Sequence, residues 1–329
     1  MHTFEVWAPA ARTVEVKTGE TKFPLQRQSG GWWLADVEAA TTGTDYWIVV
    51  DGQEPPLPDP RSMSQPHGVH AASRVVDHAG FAWSDAGWQA PPLASAIFYE
   101  LHIGTFTPEG TFEAAERRLQ YLKDLGISHI QLMPVATFPG DRGWGYDGVN
   151  LYAPHPAYGS PDALKHFVNA CHSRGLAVLL DVVYNHFGPV GNYLARFGPY
   201  LTNSHITPWG GAVNLEEAES DEVRRYLIEN AILWLRDYHF DGLRLDAVHA
   251  LVDRSATHFL EQLRDEVRIL EAQVARNFVV IAESDLNDPR LVREKEAGGF
   301  GLDAQWSDDF HHAMFSVLAG ERQGYYEDF

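Results

Sequence analysis

Among 329 residues there is a single cysteine, Cys171. It can form no internal disulfide, which excludes a disulfide scaffold and suits a reducing compartment. Cationic residues are also few: 25 Lys and Arg stand against 45 Asp and Glu, for a net charge of −20. A surface of that sign repels phosphate backbones, anionic lipid and polyanionic substrates, so neither nucleic acid nor membrane is expected as a partner. A neutral polymer is compatible with it, although solubility accounts for acidity equally well. No uninterrupted apolar run approaches the length of a membrane span. The opening MHTFEVWAPA lacks a basic segment leading into an apolar core. No secretory signal is read there, and the chain is expected in the cytoplasm. Several catalytic signatures are missing too: H-E-x-x-H, H-x-H, GxxxxGK[ST] and G-x-S-x-G do not occur.

What is present is ordinary globular material, 45% hydrophobic and 21% charged, enough to bury a large core without staples. The 10 Trp and 13 Tyr fit core packing, and they also fit sugar sites, whose aromatic faces stack on pyranose rings. Up to about residue 90 the sequence reads as all-β. Runs rich in β-branched and aromatic residues (FEVWA, TVEVK, WWLADV, DYWIVV) alternate with Gly, Pro and Asp clusters, as in a small β-sandwich. The proline-rich residues 51–70 are expected to be an ordered loop, and Pro91 and Pro92 mark a boundary. Residues 1–90 are therefore assigned to the sandwich and 91–329 to a second unit.

From Ile97 the pattern becomes strand–helix alternation. Strand-like runs occur at 97–103, 129–135, 177–183, 242–248, 278–284 and 301–306. AAERRLQYLKDLG and DALKHFVNACHSRG read as helices stopped by Gly126 and Gly175. SDEVRRYLIENAILWLRDY reads as a helix with Ser220 as N-cap, and the segment from His311 as one helix and a short tail. Repeated βα units imply a parallel sheet, and polar clusters at successive strand ends favour a TIM-type (β/α) barrel. A closed barrel needs eight strands, and six are placed here. The expectation is an incomplete barrel lacking its last strands.

The clusters at strand ends carry the chemistry. The third run ends in DVVYNH, with Asp181, Asn185 and His186. The fourth ends in DGLRLDAVH, with Asp241, Arg244, Asp246 and His249. The fifth ends in Glu283, Ser284 and Asp285, and the sixth leads to Asp308, Asp309, His311 and His312. On a strand, Arg244 and Asp246 share a face, so the cation would hold the carboxylate ionised and aimed. A structural ion pair explains the same spacing. Glu283 ends an apolar run, where partial desolvation favours a general acid; an exposed strand terminator is the plainer alternative. Together the two fit a retaining glycosidase, which needs a nucleophile and an acid/base about 5–5.5 Å apart, because neighbouring strands lie roughly 4.8 Å apart. A His/Asp metal site is the competing use of such residues, but no ligand spacing supports one and no metal or cofactor is assigned. His311 and His312 are expected to diverge on a helix. Packing or surface places are given to His102, His129, His166 and His172.

In this order, DVVYNH, DGLRLDAVH and IAESD resemble the first three signature regions of the α-amylase superfamily of glycoside hydrolases. The resemblance implies Asp246 as nucleophile and Glu283 as acid/base, with Arg244 and His186 orienting or contacting sugar. Tyr146, in WGYDG, is similar to the aromatic that stacks on sugar at the cleavage subsite, and His249 falls within the second region. Residues 143–161, 182–194, 244–251, 282–291 and 303–312 narrow the resemblance to hydrolases that release trehalose from maltooligosyltrehalose. Asp308, Asp309, His311 and His312 would then recognise the trehalose end; a solvated acidic turn is the alternative for the two aspartates. DPRSMSQPHGVHAASRVVD also fits glycogen branching enzymes. The superfamily's fourth region, an NHD-like motif carrying a third carboxylate, is not found. A truncated or split protein is expected, with an inactive glucan-binding fragment or a complementary C-terminal chain as further alternatives.

Overall fold

In the computed structural model, which describes residues 1–327, the N-terminal runs form two small antiparallel sheets. They are built from β1 (His2–Trp7), β2 (Val14–Thr18), β3 (Thr21–Pro24), β4 (Gln26–Arg27), β5 (Trp32–Val37), β6 (Asp45–Val50) and β7 (Ser73–Arg74). The orders are β1–β5–β4 and β3–β2–β6–β7. Alternation drives the packing: in β1, Phe4 and Val6 are buried while Glu5 is exposed. Phe4 meets Tyr46 of the other sheet edge-on, with ring centroids 4.8 Å apart. The strands β3, β4 and β7 were not expected; β3 and β4 are short and mostly exposed, so they carry little apolar pattern.

Then comes the alternating part. Its strands are β8 (Phe98–Leu101), β9 (His129–Leu132), β10 (Ala136–Thr137), β11 (Asn150–Pro154), β12 (Ala177–Val182), β13 (Leu201–Thr207), β14 (Gly210–Val213), β15 (Gly242–Leu245), β16 (Val279–Ser284) and β17 (Ala304–Ser307). Six of them form one parallel sheet ordered β17–β16–β15–β12–β9–β8. The order follows the chain without reversal, which is the winding of a (β/α) barrel and not of a doubly wound sheet. The sheet curls far enough for its edge strands to touch: Trp306 on β17 donates from Nε1 to Gln131 Oε1 on β9 at 3.2 Å, and its ring meets Phe98 on β8 at 5.4 Å. This is an incomplete barrel, with β8 and β17 as open edges. The pairs β10–β11 and β13–β14 are antiparallel hairpins outside it.

The helices are α1 (Ile103–Phe106), α2 (Phe112–Glu116), α3 (Leu119–Asp124), α4 (Pro161–Ser173), α5 (Ser220–Arg236), α6 (Phe259–Val274) and α7 (Asp308–Ala319). Three expectations need correction. The helix read over 114–126 is two short helices parted at Arg117 and Arg118, although Gly126 does stop the second with a φ of 92°. Ser220 is the first residue of α5 rather than its cap; Glu219 takes the cap position in a left-handed conformation. The last helix starts at Asp308, three residues earlier than read, so Asp308 and Asp309 occupy its first turn, where acidic groups favour the helix dipole. On α7, Phe310, Val317 and Leu318 are 69%, 74% and 78% exposed, a solvent-facing apolar surface beside the open edge.

Two fastenings fix the sheet. Arg61, from the proline-rich loop, donates to the Tyr152 hydroxyl at 3.0 Å and to Glu229 on α5, with its guanidinium over the rings of Trp32, Tyr152 and Tyr226. Below the sheet, Trp88 Nε1 donates to Asp241 at 2.7 Å, and buried His172 sits between Asp85 at 2.8 Å and Asp241 at 3.0 Å. Burial alone would lower the His172 pKa, but the two carboxylates outweigh it and raise it. Among the described residues no helix is long and apolar enough to cross a membrane.

Candidate active site

A parallel sheet delivers all strand C-termini to one edge, and register decides which residues meet there. Between β12 and β15, Asp181 pairs with Arg244. Between β15 and β16, Leu245 pairs with Ala282, so the residues that follow, Asp246 and Glu283, leave neighbouring strands side by side. Leu243 and Leu245 point into the core, which turns Arg244 and Asp246 to the opposite face.

Arg244 organises the acids. Its Nη1 donates to Asp246 Oδ1 at 2.7 Å and to Asp181 Oδ1 and Oδ2 at 3.0 and 2.9 Å, while Nη2 lies 3.6 Å from Glu283 Oε2. One guanidinium thus serves three carboxylates. Burial works against the Arg244 charge, but Asp181 and Asp246 overcome it and raise its pKa. The most buried carboxylate is the one that gives way: desolvation pushes Asp181 up to about 7 despite its arginine, and the negative charge of Asp246 adds to the rise.

The remaining contacts close a loop. The Tyr146 hydroxyl donates to Asp181 Oδ2 at 2.9 Å. Burial, reinforced by Asp181, raises the phenol pKa. His186 Nε2 lies 2.9 Å from the Tyr146 carbonyl oxygen, and its Nδ1 lies against Asn185 Oδ1. Asn185 Nδ2 donates to Asp246 Oδ2 at 2.9 Å and to the Asp246 carbonyl at 2.8 Å. Asp246, Arg244, Asp181, Tyr146, His186 and Asn185 therefore form a closed ring of polar contacts. Burial lowers the His186 pKa, while the Tyr146 carbonyl pulls the other way, and both ring nitrogens face oxygen acceptors. Glu283 stands beside the ring, and its Oε2 accepts from the Ala247 amide at 2.7 Å.

The structure brings Asp246, Glu283, Arg244, Tyr146 and His186 together. A cleft of roughly 830 Å³ runs from Arg244 and Glu283 to Trp306, Asp308 and His311. Asp309 and His312 are not among its lining residues. His249 lies at the rim, its Nδ1 3.6 Å from Asp285 Oδ1. His311 and His312 do not diverge; their rings stack with centroids 4.9 Å apart. Sequence reading left Asp181 and Asn185 without a role, although both stand in DVVYNH. It missed Trp209, at the turn of the β13–β14 hairpin, whose ring stacks on His186 at 4.7 Å and nearly parallel, at 5°. Among the described residues no group of three or more His, Cys, Asp or Glu side chains is gathered as metal ligands. Asn185 is spent on Asp246 and His186.

An incomplete (β/α) barrel with an arginine-linked carboxylate pair at its mouth defines a class, and comparison with known proteins agrees. The profile of the alpha-amylase catalytic domain matches residues 70–203. In sequence and in fold the chain is similar to the α-amylase family of glycoside hydrolases. Within that family it is similar to malto-oligosyltrehalose trehalohydrolase of Arthrobacter ramosus, with 53% identity over 99% of this chain and 57% of the relative. The crystal structure of a putative alpha amylase from Salmonella typhimurium superposes with a TM-score of 0.90 at 43% identity, over 99% of this chain and 55% of that one. A 1,4-alpha-glucan branching enzyme of Photobacterium profundum is more distant, at 32% identity over 97% of this chain and 50% of the relative. The chain thus spans little more than half the length of these relatives.

Proposed function

We propose that this chain carries the catalytic half-site of a hydrolase that cleaves the α-1,4 bond next to the terminal trehalose of maltooligosyltrehalose, releasing trehalose with retention. The observation that carries this reading is the placement of Asp246 and Glu283 at adjacent strand ends on one guanidinium. Arg244 and Asn185 hold Asp246 for attack on the anomeric carbon. Glu283 protonates the leaving oxygen and then activates the water that resolves the glycosyl-enzyme. Tyr146, His186 and Trp209 present an aromatic wall for the sugar at the cleavage point. On the other side, Asp308 and His311 line the cleft where the trehalose end would lie, with Asp309, His312 and His249 as outer contacts. Residues 1–90 serve as an accessory sandwich of the glucan-enzyme type and 91–329 as the catalytic unit. The open edges and the apolar face of α7 suit a complementary chain. The lone buried cysteine suits the cytoplasm.

Incubation with maltooligosyltrehalose is expected to yield free trehalose, measured chromatographically. Asp246→Asn and Glu283→Gln are each expected to lower the rate by about 10²–10⁴-fold. Transfer to α-1,6 branches on amylose would favour the branching reading, which the similarity to a branching enzyme keeps as the second choice. Calorimetric glucan binding without turnover would point to a non-catalytic role.

A further inference from the structure

The residue after the nucleophile has an unusual backbone. Ala247 has φ 42° and ψ 51°, the left-handed region that L-residues with a Cβ rarely enter. Its position explains the conformation. The peptide group joining Asp246 to Ala247 is gripped at both ends: its carbonyl accepts from Asn185 Nδ2 at 2.8 Å, and its N–H donates to Glu283 Oε2 at 2.7 Å. The same Asn185 amide reaches the Asp246 carboxylate at 2.9 Å. A main-chain carbonyl oxygen carries no proton, so the Asn185 amide can only face it with its NH₂. Asn185 itself is 1% exposed, packed at the end of β12. A single rigid peptide plane therefore links the strand ends of β12, β15 and β16, and the nucleophile and the acid/base hang from its two sides.

We infer that Asn185 is a positioning residue that acts on both catalytic carboxylates at once, on Asp246 directly and on Glu283 through the Asp246–Ala247 peptide. Without it the Asp246 carbonyl loses its partner, the remaining contacts no longer offset the cost of the left-handed Ala247, and the peptide turns so that the N–H leaves Glu283. This inference rests on the retaining-glycosidase reading for its kinetic consequence, and on geometry alone for its structural one.

Two measurements test it on the whole chain. In a crystal structure of Asn185→Ala, or of the isosteric Asn185→Asp should the first fail to fold, Ala247 is expected to leave the left-handed region and to lose its contact with Glu283. An unmoved peptide overturns the inference whatever the activity. The kinetic arm uses α-maltotriosyl fluoride, which carries no trehalose. Asn185→Ala is expected to lower kcat on the order of 100-fold with KM changed less than about 3-fold. Ala247→Gly removes the steric bias against the left-handed region while keeping the N–H. In that background the Asn185→Ala loss is expected to shrink by about 5- to 30-fold. Additive effects would mean that Asn185 does not act through the peptide. Turnover of the fluoride but not of maltooligosyltrehalose would sink the trehalose reading and leave this inference to its own result. If neither is turned over, the crystal structure decides.

Discussion

Asp181 offers the sharpest test of how the site distributes charge. An aspartate bonded twice by an arginine is ordinarily expected to titrate low. Here burial dominates, and the carboxyl rises from 3.8 to about 7. The folded chain then binds this proton more tightly than the unfolded chain does. Below pH 4 both states are protonated and the contribution to stability is fully present. Between about 4 and 7 the unfolded state releases its proton first, so stability falls as pH rises, and above about 7 the contribution is gone. A displacement of that size corresponds to on the order of 4 kcal/mol across the window. Asp181→Asn keeps the shape and removes the titration. Urea unfolding of both proteins at steps from pH 4 to 8 isolates the group as a difference. Relative to the variant, the natural chain is expected to lose stability steadily over this range and to level off above neutrality. A difference that stays flat, or one that grows in favour of the natural chain as pH rises, would refute the assignment and restore an ordinary ionised salt bridge.

Three further outcomes are expected. Arg61→Ala removes a nearly buried guanidinium from three rings and the Tyr152 hydroxyl, while Glu229 keeps Arg225 at 2.7 Å, so a loss of about 2–3 kcal/mol is expected in the urea midpoint, with Arg61→Lys recovering only part. Trp209 is 47% exposed, so Trp209→Ala is expected to shift stability by less than about 0.5 kcal/mol yet to raise KM for the glucan about 3- to 10-fold, read from initial rates. His172, raised by Asp241 and Asp85 against the effect of burial, contributes stability that is full below 6.5 and lost as pH rises through its folded value. An NMR titration of the imidazole is expected to show it still protonated at pH 6.5, and a neutral ring there would contradict the ion-pair geometry.

The strand–helix alternation was legible because the barrel strands are continuous apolar runs and because Gly126 and Gly175 adopt the left-handed stops their positions require. The carboxylate pair was legible because each acid ends such a run. Register was not. The meeting of Asp181 with Arg244 depends on the alignment of β12 and β15, which are more than fifty residues apart in the chain. The hairpin bearing Trp209 escaped because LTNSHIT is largely exposed and lacks alternating apolar residues. The start of α5 misled because a left-handed Glu219 takes the place where a serine cap is normally found. Ala247 was invisible for a related reason: nothing in an alanine announces a positive φ that its neighbours impose.

The closed ring around Asp246 has a consequence for how such a site can change. A loop of contacts has no free end at which to begin. Replacing one member leaves its two neighbours mismatched, so single-position libraries inside the ring should return losses, and compensation must come in adjacent pairs such as Asp181 with Arg244 or Tyr146 with Asp181. On the proposed function, variation in what the site accepts is expected instead at positions whose contacts do not close on themselves: Trp209 on its hairpin, His249 at the rim, and the first turn of α7. The chemistry is held as an heirloom, and the surroundings are where new substrates can be tried.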